Sequence, residues 1–455
     1  MGEIIERRCW WIVAAIAAGG LALRIAAAQG GLWLDEAWSA VMAAEAGTPL
    51  GAFLHINHDN NHHLNTLWLQ LVGLDASPLL QRTLSIATGT ASILMAARIG
   101  ARRNASTAIV AALLFALSPI LVTYGSEARG YAPMLLAFLT AIDLIDRWLA
   151  EPAAPRPAIP LALAAFLGLL AQLTMAFALA ALGLWTIWSL RKGLALWPAI
   201  ARLWGPAAMA SATALALIFV PAWLGGGMAF GAAEPFTLAH WTVGLWQAFG
   251  HTFGNAWGFV AIGGAALLLL GMPIGRLAAC GYAALLAAPL IVLIAQVPNA
   301  AVARLYLTAS AGALLLFALL LGNGFARGQR GMAIVIAACA LAIMGYACAT
   351  LVQDRRADPA RALTAIATRA PTGADAAVER PRSDAILIAA AASARYPLQI
   401  RQTCPAARFL FIERDGAEAF PAVPTHCATR YREIAGDTVQ GLSGTQWKLY
   451  ERSDR

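Results

Sequence analysis

The chain alternates long apolar runs with short polar breaks. Apolar stretches fall at about 9–28, 79–99, 106–123, 131–149, 159–174, 176–190, 203–222, 256–271, 277–296, 306–322 and 331–352. A helix crossing a bilayer needs about 20 mostly apolar residues, so these runs predict about 11 transmembrane helices. The two between 159 and 190 are short for full crossings. LNTLWLQLVG, 64–73, predicts a short helix lying at the membrane interface.

Beyond residue 353 the pattern changes. ALTAIATRA (362–370) reads as an amphipathic helix, and DAILIAAAA (384–392), ARFLFIE (407–413) and QWKLYER (446–452) read as strands. Two domains follow: a transmembrane domain over 1–352 and a small extramembrane α/β domain over 353–455. The second carries no nucleotide-binding glycine signature.

Composition supports a polytopic α-helical membrane protein. The chain is 60% hydrophobic and 12% charged, whereas soluble domains are about a quarter charged. The formal charge of +8 does not indicate nucleic acid, because the basic residues sit in short loops. Arg7, Arg8, Arg98, Arg102, Arg103, Arg147, Arg156, Arg191, Lys192, Arg202, Arg276, Arg327 and Arg330 all fall on the side of the N-terminus. The positive-inside rule then makes the N-terminus cytoplasmic and the C-terminal domain external. Residues 1–28 imitate a signal peptide, but their apolar run is long for one, and an uncleaved first span is expected. Cys9, Cys280, Cys339 and Cys348 read as small packing residues. Cys404 and Cys427 could form a disulfide if their domain lies outside the cytoplasm.

The polar residues worth attention collect in the outer loops. LWLDEAWSA, 32–40, sets Asp35 and Glu36 between Trp33 and Trp38, just past the first span. Adjacent helical residues do not share a face, so one acid can point into a cavity while the other caps or pairs. In HINHDNNHHLNTLWLQLVG, 55–73, four of the seven histidines fall within nine residues. If helical, this segment would pair His58 with His62 and Asp59 with His63. A divalent metal site is one reading, a hydrogen-bonding surface for a polar substrate through His58, Asn61 and His62 a second, and a solvated turn the third. YGSEARGYAP, 124–133, holds Glu127 and Arg129 in a very short loop, where a structural ion pair is the alternative to a ligand contact. Arg82 opens the second span, and Arg304 with Tyr306 opens a late one; snorkelling is the plain reading of both arginines. Carboxylates beside arginines at an outer membrane surface suit transfer from a phosphorylated lipid, since the guanidinium fork binds phosphate oxygens.

The order of these motifs resembles the polyprenyl-phosphate-sugar-dependent glycosyltransferases of the C-type fold. The likeness is to the protein O-mannosyltransferase and lipid A aminoarabinose-transferase branch, in bacterial members. It rests on Asp35-Glu36 after the first span, HHLNTLWLQLVG, Arg82, EARGYA at 127–132, and Arg304-Leu305-Tyr306-Leu307, where Leu305 is an insertion. The resemblance implies that fold, with outer-side juxtamembrane helices, in a bacterial inner membrane. It implies an inverting transfer from a polyprenyl-phosphate-sugar donor to a lipid A, glycan, lipid or protein acceptor. Asp35 would be the general base, and Arg82, Arg129 and Arg304 would stabilise the leaving phosphate. Glu36 and Glu127 would orient acceptor or sugar. Family members differ in metal use, so no metal ligand is assigned and a divalent ion stays open.

The main rival is a transporter or flippase for a lipid-linked or small substrate, which would place polar or broken spans near the bilayer midplane. An O-antigen ligase or polymerase would depend more on a large late outer loop. A purely structural or receptor-like protein would not need acids and arginines gathered at several loops.

Overall fold

The computed structural model describes the chain except residues 1, 192–195, 230–233, 256–274, 355, 417, 440 and 454–455. Its first element, α1 (Gly2–Ala27), is one long helix. Three short helices then lie between it and the next span: α2 (Leu34–Ala46), α3 (Gly51–Leu54) and α4 (His63–Val72). The last of these is the interfacial helix expected from LNTLWLQLVG. Helix α5 (Pro78–Ala101) starts where the Ser77 side chain accepts from the Leu80 amide, with Pro78 in the first turn. Both are common helix-start devices.

The run 106–123 is broken. Helix α6 (Ala105–Leu117) ends at Ser118, and α7 (Pro119–Tyr124) restarts at once. Pro119 has no N–H to offer the Phe115 carbonyl four residues back. Arg24 on α1 supplies the missing donor, its Nη2 lying 3.1 Å from that oxygen and its Nη1 3.1 Å from Gly20 O. A buried arginine inside a span thus reaches the carbonyl that the helix break leaves over.

Helix α8 (Tyr131–Ala150) follows, then helices Ala158–Ala171, Met175–Leu190, Leu196–Leu224, Leu238–Phe253, Arg276–Ile294, Leu307–Ala326 and Arg330–Asp354. Among the described residues six helices are long and apolar enough to cross a membrane, and three shorter apolar ones accompany them. That is fewer full-length crossings than the eleven apolar runs suggested. The difference lies in the break at Ser118, in the 14- and 16-residue helices of 158–190, and in the charged last turns of α8. The expected span 256–271 lies outside the described residues.

Beyond Asp354 a six-stranded sheet has the order β2-β1-β3-β6-β5-β4. Strand β1 (Ala374–Val378) pairs in parallel with β2 (Leu398–Ile400) and β3 (Phe409–Arg414). Strand β6 (Gln446–Arg452) runs antiparallel to β3 and to β5 (Thr429–Asp437), and β4 (Thr425–His426) closes the edge. The segment DAILIAAAA is not a strand but part of helix Asp384–Ala394. A short apolar run fits either state; alanine is the best helix former, and parallel β1 and β2 need a crossover between them. The expected helix at 362–370 corresponds to Ala360–Arg369. Cys404 and Cys427 are joined in a disulfide. Of the other cysteines, Cys9, Cys280 and Cys348 are buried and Cys339 is exposed.

This sheet domain is docked on α2. Leu34, Ala37 and Ala40 share a core with Ile386, Phe409 and Trp447, and the Trp447 indole N–H donates to Ala357 O at 2.7 Å. The membrane helices form one large core of their own. One close approach is at Gly322, where an added Cβ would fall on the Thr107 side chain of α6. Small residues let membrane helices approach this closely. Gly322→Val is expected to lower stability by about 1–3 kcal/mol through overpacking, read as a lower unfolding temperature in detergent, while Gly19→Val, where nothing lies within 4 Å, leaves it unchanged.

Candidate active site

The chain leaves α1 through Gly30, whose φ of +90° suits glycine, and re-enters helix with Asp35 and Glu36 in the first turn of α2. Acids are favoured there by the helix dipole. The two side chains then diverge. Glu36 points inward and is fully buried. Its Oε1 accepts from Arg82 Nε (2.8 Å) and the Ala128 amide (2.7 Å), and its Oε2 from Arg82 Nη2 (2.5 Å) and the Trp33 amide (3.2 Å). The remaining Arg82 N–H groups donate to the carbonyls of Ala28, Gly30 and Gly31, each at 2.8 Å. Burial alone would raise the Glu36 carboxyl pKa; Arg82, helped by Arg356 and the Ala128 N–H, holds it below the ordinary value instead. Neither partner has a group left for a ligand. The expectation that Glu36 orients substrate and Arg82 meets phosphate is corrected: every donor and acceptor of the pair is spent inside the protein.

Asp35 stands on the other side. Its carboxylate takes Arg129 Nη1 in a short ion pair and has Arg304 Nη1 at 3.6 Å. The Asp35 side chain is 21% exposed and that of Arg304 35%, while Arg129 is buried. Arg129 is oriented from several directions. Its Nη2 donates to Asn60 Oδ1 (2.8 Å) and its Nε to His62 Nε2 (3.2 Å), and it lies over the rings of Tyr131 (5.2 Å) and Trp33 (5.7 Å). Asn60 in turn donates to Asp35 O (3.0 Å) and Ser39 Oγ (3.1 Å). Burial first, then the charges of Arg129 and Arg304, keep the His62 pKa well below its ordinary value, so its Nε2 stays free to accept. Burial takes His63 down to about 4.

The remaining expected residues divide. His58 lies 2.8 Å from Asp59 and beside the Trp38 ring, at 4.3 Å. Residues 55–62 are not helical, so the spacing that would pair His58 with His62 and Asp59 with His63 on one face is not realised. Asn61 is spent internally: it donates to Ala52 O (2.8 Å) and accepts from Thr66 Oγ1 (2.8 Å). Tyr306 is buried and its hydroxyl donates to Ala300 O at 2.7 Å, which spends the proton it was expected to offer a substrate. Glu127 does not pair with Arg129. It is buried with Arg356 Nε 3.7 Å away, and burial pushes its carboxyl pKa up against the pull of Arg356. Among the described residues no group of three or more His, Cys, Asp or Glu side chains is arranged to hold a metal ion.

Two contributors were not read from the sequence. Asn60 was one asparagine among several in a polar segment. Arg356 belongs to the stretch after the last span, read as tail. It returns to the site, donating to Ala27 O (2.9 Å), Thr123 O (3.1 Å) and Ser126 Oγ (2.7 Å). It thereby braces the loop that carries Glu127 and Arg129. Its φ of +52° is a left-handed conformation that costs a non-glycine residue energy.

Fold and site together define a multi-helix membrane protein with a half-open carboxylate–arginine cluster at one end of its bundle. The chain is similar in structure to two crystal structures of ArnT from Cupriavidus metallidurans. Against the apo form it has 12% identity and a TM-score of 0.44, covering 85% of each chain. Against the form bound to undecaprenyl phosphate it has 13% identity and a TM-score of 0.43, covering 96% of this chain and 97% of that one. No family model and no curated protein sequence matches it.

Removing one member of a buried ion pair costs about 3–5 kcal/mol, because the other charge is left uncompensated. Glu36→Gln is therefore expected to lower the yield of folded protein and its unfolding temperature far more than Asp35→Asn, measured on the detergent-solubilised chain. The buried histidines give a pH dependence. An unfolded histidine titrates near about 6.5, and the folded chain refuses that proton at His62 and His63. Their contribution is present above that pH and falls away as pH drops below it. Thermal stability should decline between pH 7.5 and 5.5, and less steeply in His62→Gln, which keeps an acceptor for Arg129 but does not titrate.

Proposed function

We propose that the chain is an integral-membrane glycosyltransferase. It moves a sugar from a polyprenyl-phosphate donor to a lipid A, glycan, lipid or protein acceptor at the non-cytoplasmic face of a bacterial cytoplasmic membrane, with inversion. The observation that carries this reading is Asp35, a part-exposed carboxylate gripped by Arg129 and faced by part-exposed Arg304. Its neighbour Glu36 is closed off. The acceptor oxygen would bond to the anomeric carbon as the bond from that carbon to the phosphate oxygen breaks. Asp35 takes the acceptor proton as general base. The polyprenyl phosphate leaves with the bonding pair, and Arg304 with Arg129 offsets its charge. Glu36, Arg82, Asn60, His62 and Arg356 hold this geometry without touching substrate. His58 and Trp38, on the next loop and α2, are the candidate sugar contacts.

The external placement of the site and the sheet domain is supported by the loop arginines on the N-terminal side. The Cys404–Cys427 disulfide fits an oxidising compartment. A transporter would draw on Arg24 and the break at Ser118, but Arg24 is buried there with both terminal nitrogens donating to Gly20 O and Phe115 O. The test is a transfer assay in membranes with radiolabelled polyprenyl-phosphate sugars. Asp35→Asn should lose about 10²–10⁴-fold of the rate, the usual worth of a positioned general base, while still being made and inserted. Full activity in that variant would overturn Asp35 as base.

A further inference from the structure

A second charged cluster lies at the opposite end of the bundle. From Arg82 to Arg98 along α5 is 16 residues, about 24 Å of helix, and α8 runs the same way from Tyr131 to its last turns. There Asp146 is buried and takes Arg102 Nε at 2.6 Å, Arg276 Nε at 3.1 Å and Arg103 Nη2 at 3.8 Å. Asp143 takes Arg98 Nε at 3.1 Å and Arg147 Nη1 at 3.9 Å. Five guanidinium groups from three helix ends and one turn thus share two carboxylates, 5 − 2 = 3 positive charges in excess. The two aspartates hold the arginines together without neutralising them. Burial, with repulsion from Arg276 and Arg102, holds the Arg103 guanidinium below its ordinary pKa despite Asp146. A further anion would relieve that crowding.

Topology signalling alone would need basic residues in these loops, but not their convergence on two buried acids. We propose that this cluster binds the phosphate headgroup of an anionic phospholipid in the leaflet at that end of the bundle. The side chains of Arg98 and Arg147 are 49% and 54% exposed and are the groups open to an incoming phosphate. A lipid is favoured over a soluble anion by what lies beside them. Leu94 is one turn before Arg98, on the same face of α5, and is itself exposed. Tyr282, Leu286 and Leu290, farther along the helix that Arg276 begins, are also exposed, though it is Leu94 that adjoins Arg98. A headgroup on the arginines would therefore have apolar helix surface for its chains. Basic pockets between span ends are a recurring mode of anionic lipid recognition.

The full-length protein, purified in a zwitterionic detergent, is titrated separately with cardiolipin, phosphatidylcholine and inorganic phosphate. Lipid retention is followed by native mass spectrometry, and the unfolding temperature is measured alongside. Cardiolipin should be retained and should raise the unfolding temperature; phosphatidylcholine and inorganic phosphate should do neither. Replacing both Arg98→Gln and Arg147→Gln should weaken cardiolipin retention about thirtyfold, since each basic residue near an anionic lipid surface is worth roughly a factor of five. The variant strips buried Asp143 of both its ion-pair partners, so its unfolding temperature without cardiolipin should fall, and cardiolipin should no longer raise it from that lower baseline. Equal retention of phosphatidylcholine, equal stabilisation by inorganic phosphate, or undiminished cardiolipin retention in the variant would each overturn the proposal. If the variant does not fold, the three titrations of the wild type decide it.

Discussion

The Glu36–Arg82 pair is the constraint on which the candidate site depends. It ties the carbonyls that end α1, the first turn of α2, the start of α5 and the Ala128 amide of the 125–130 loop to one point. Two full charges are withdrawn from solvent there, and such a pair adds little net stability over well-packed apolar residues. Its value is positional. With every donor and acceptor spent, the pair admits no second arrangement of these four chain segments.

That fixed frame decides what Asp35 can do. One residue along the same helical turn, its side chain leaves on a different face and meets Arg129 and Arg304 instead of Arg82. Arg129 is itself over-determined, by Asn60, by a histidine kept neutral through burial, and by two aromatic rings. Arg356 extends the frame into the sheet domain, because the residue after it is held by Trp447. The domain beyond the last span is therefore part of the site's scaffold. At the far end of the bundle the balance is reversed: two acids gather five arginines and leave charge over.

Much of the helical architecture was legible because apolar run length is a direct signature of a bilayer crossing. Single-residue chemistry was legible in part. Asp35, Arg129 and Arg304 do converge, yet Glu36, Arg82 and Tyr306, equally conspicuous in sequence, face inward and are satisfied there. The histidine-rich segment is not helical; Asn61 there spends its amide on the carbonyls of Ala52 and Ile56, the side-chain-to-backbone habit that favours turns. DAILIAAAA could not be assigned from its own residues, since only the parallel pairing of β1 and β2 makes a crossover helix necessary.

By itself, then, the sequence determined that this is a helical membrane protein with a polar C-terminal domain, and that acids and arginines gather just past its spans. Hydropathy and charge are local properties and can be read locally. Only the tertiary structure decided which of two adjacent carboxylates keeps a face to solvent. It also decided which arginines are spent on backbone carbonyls, and that Arg356, more than 300 residues away in sequence, braces the site. Those outcomes depend on which donors and acceptors meet across distant segments, and burial makes each meeting all or nothing.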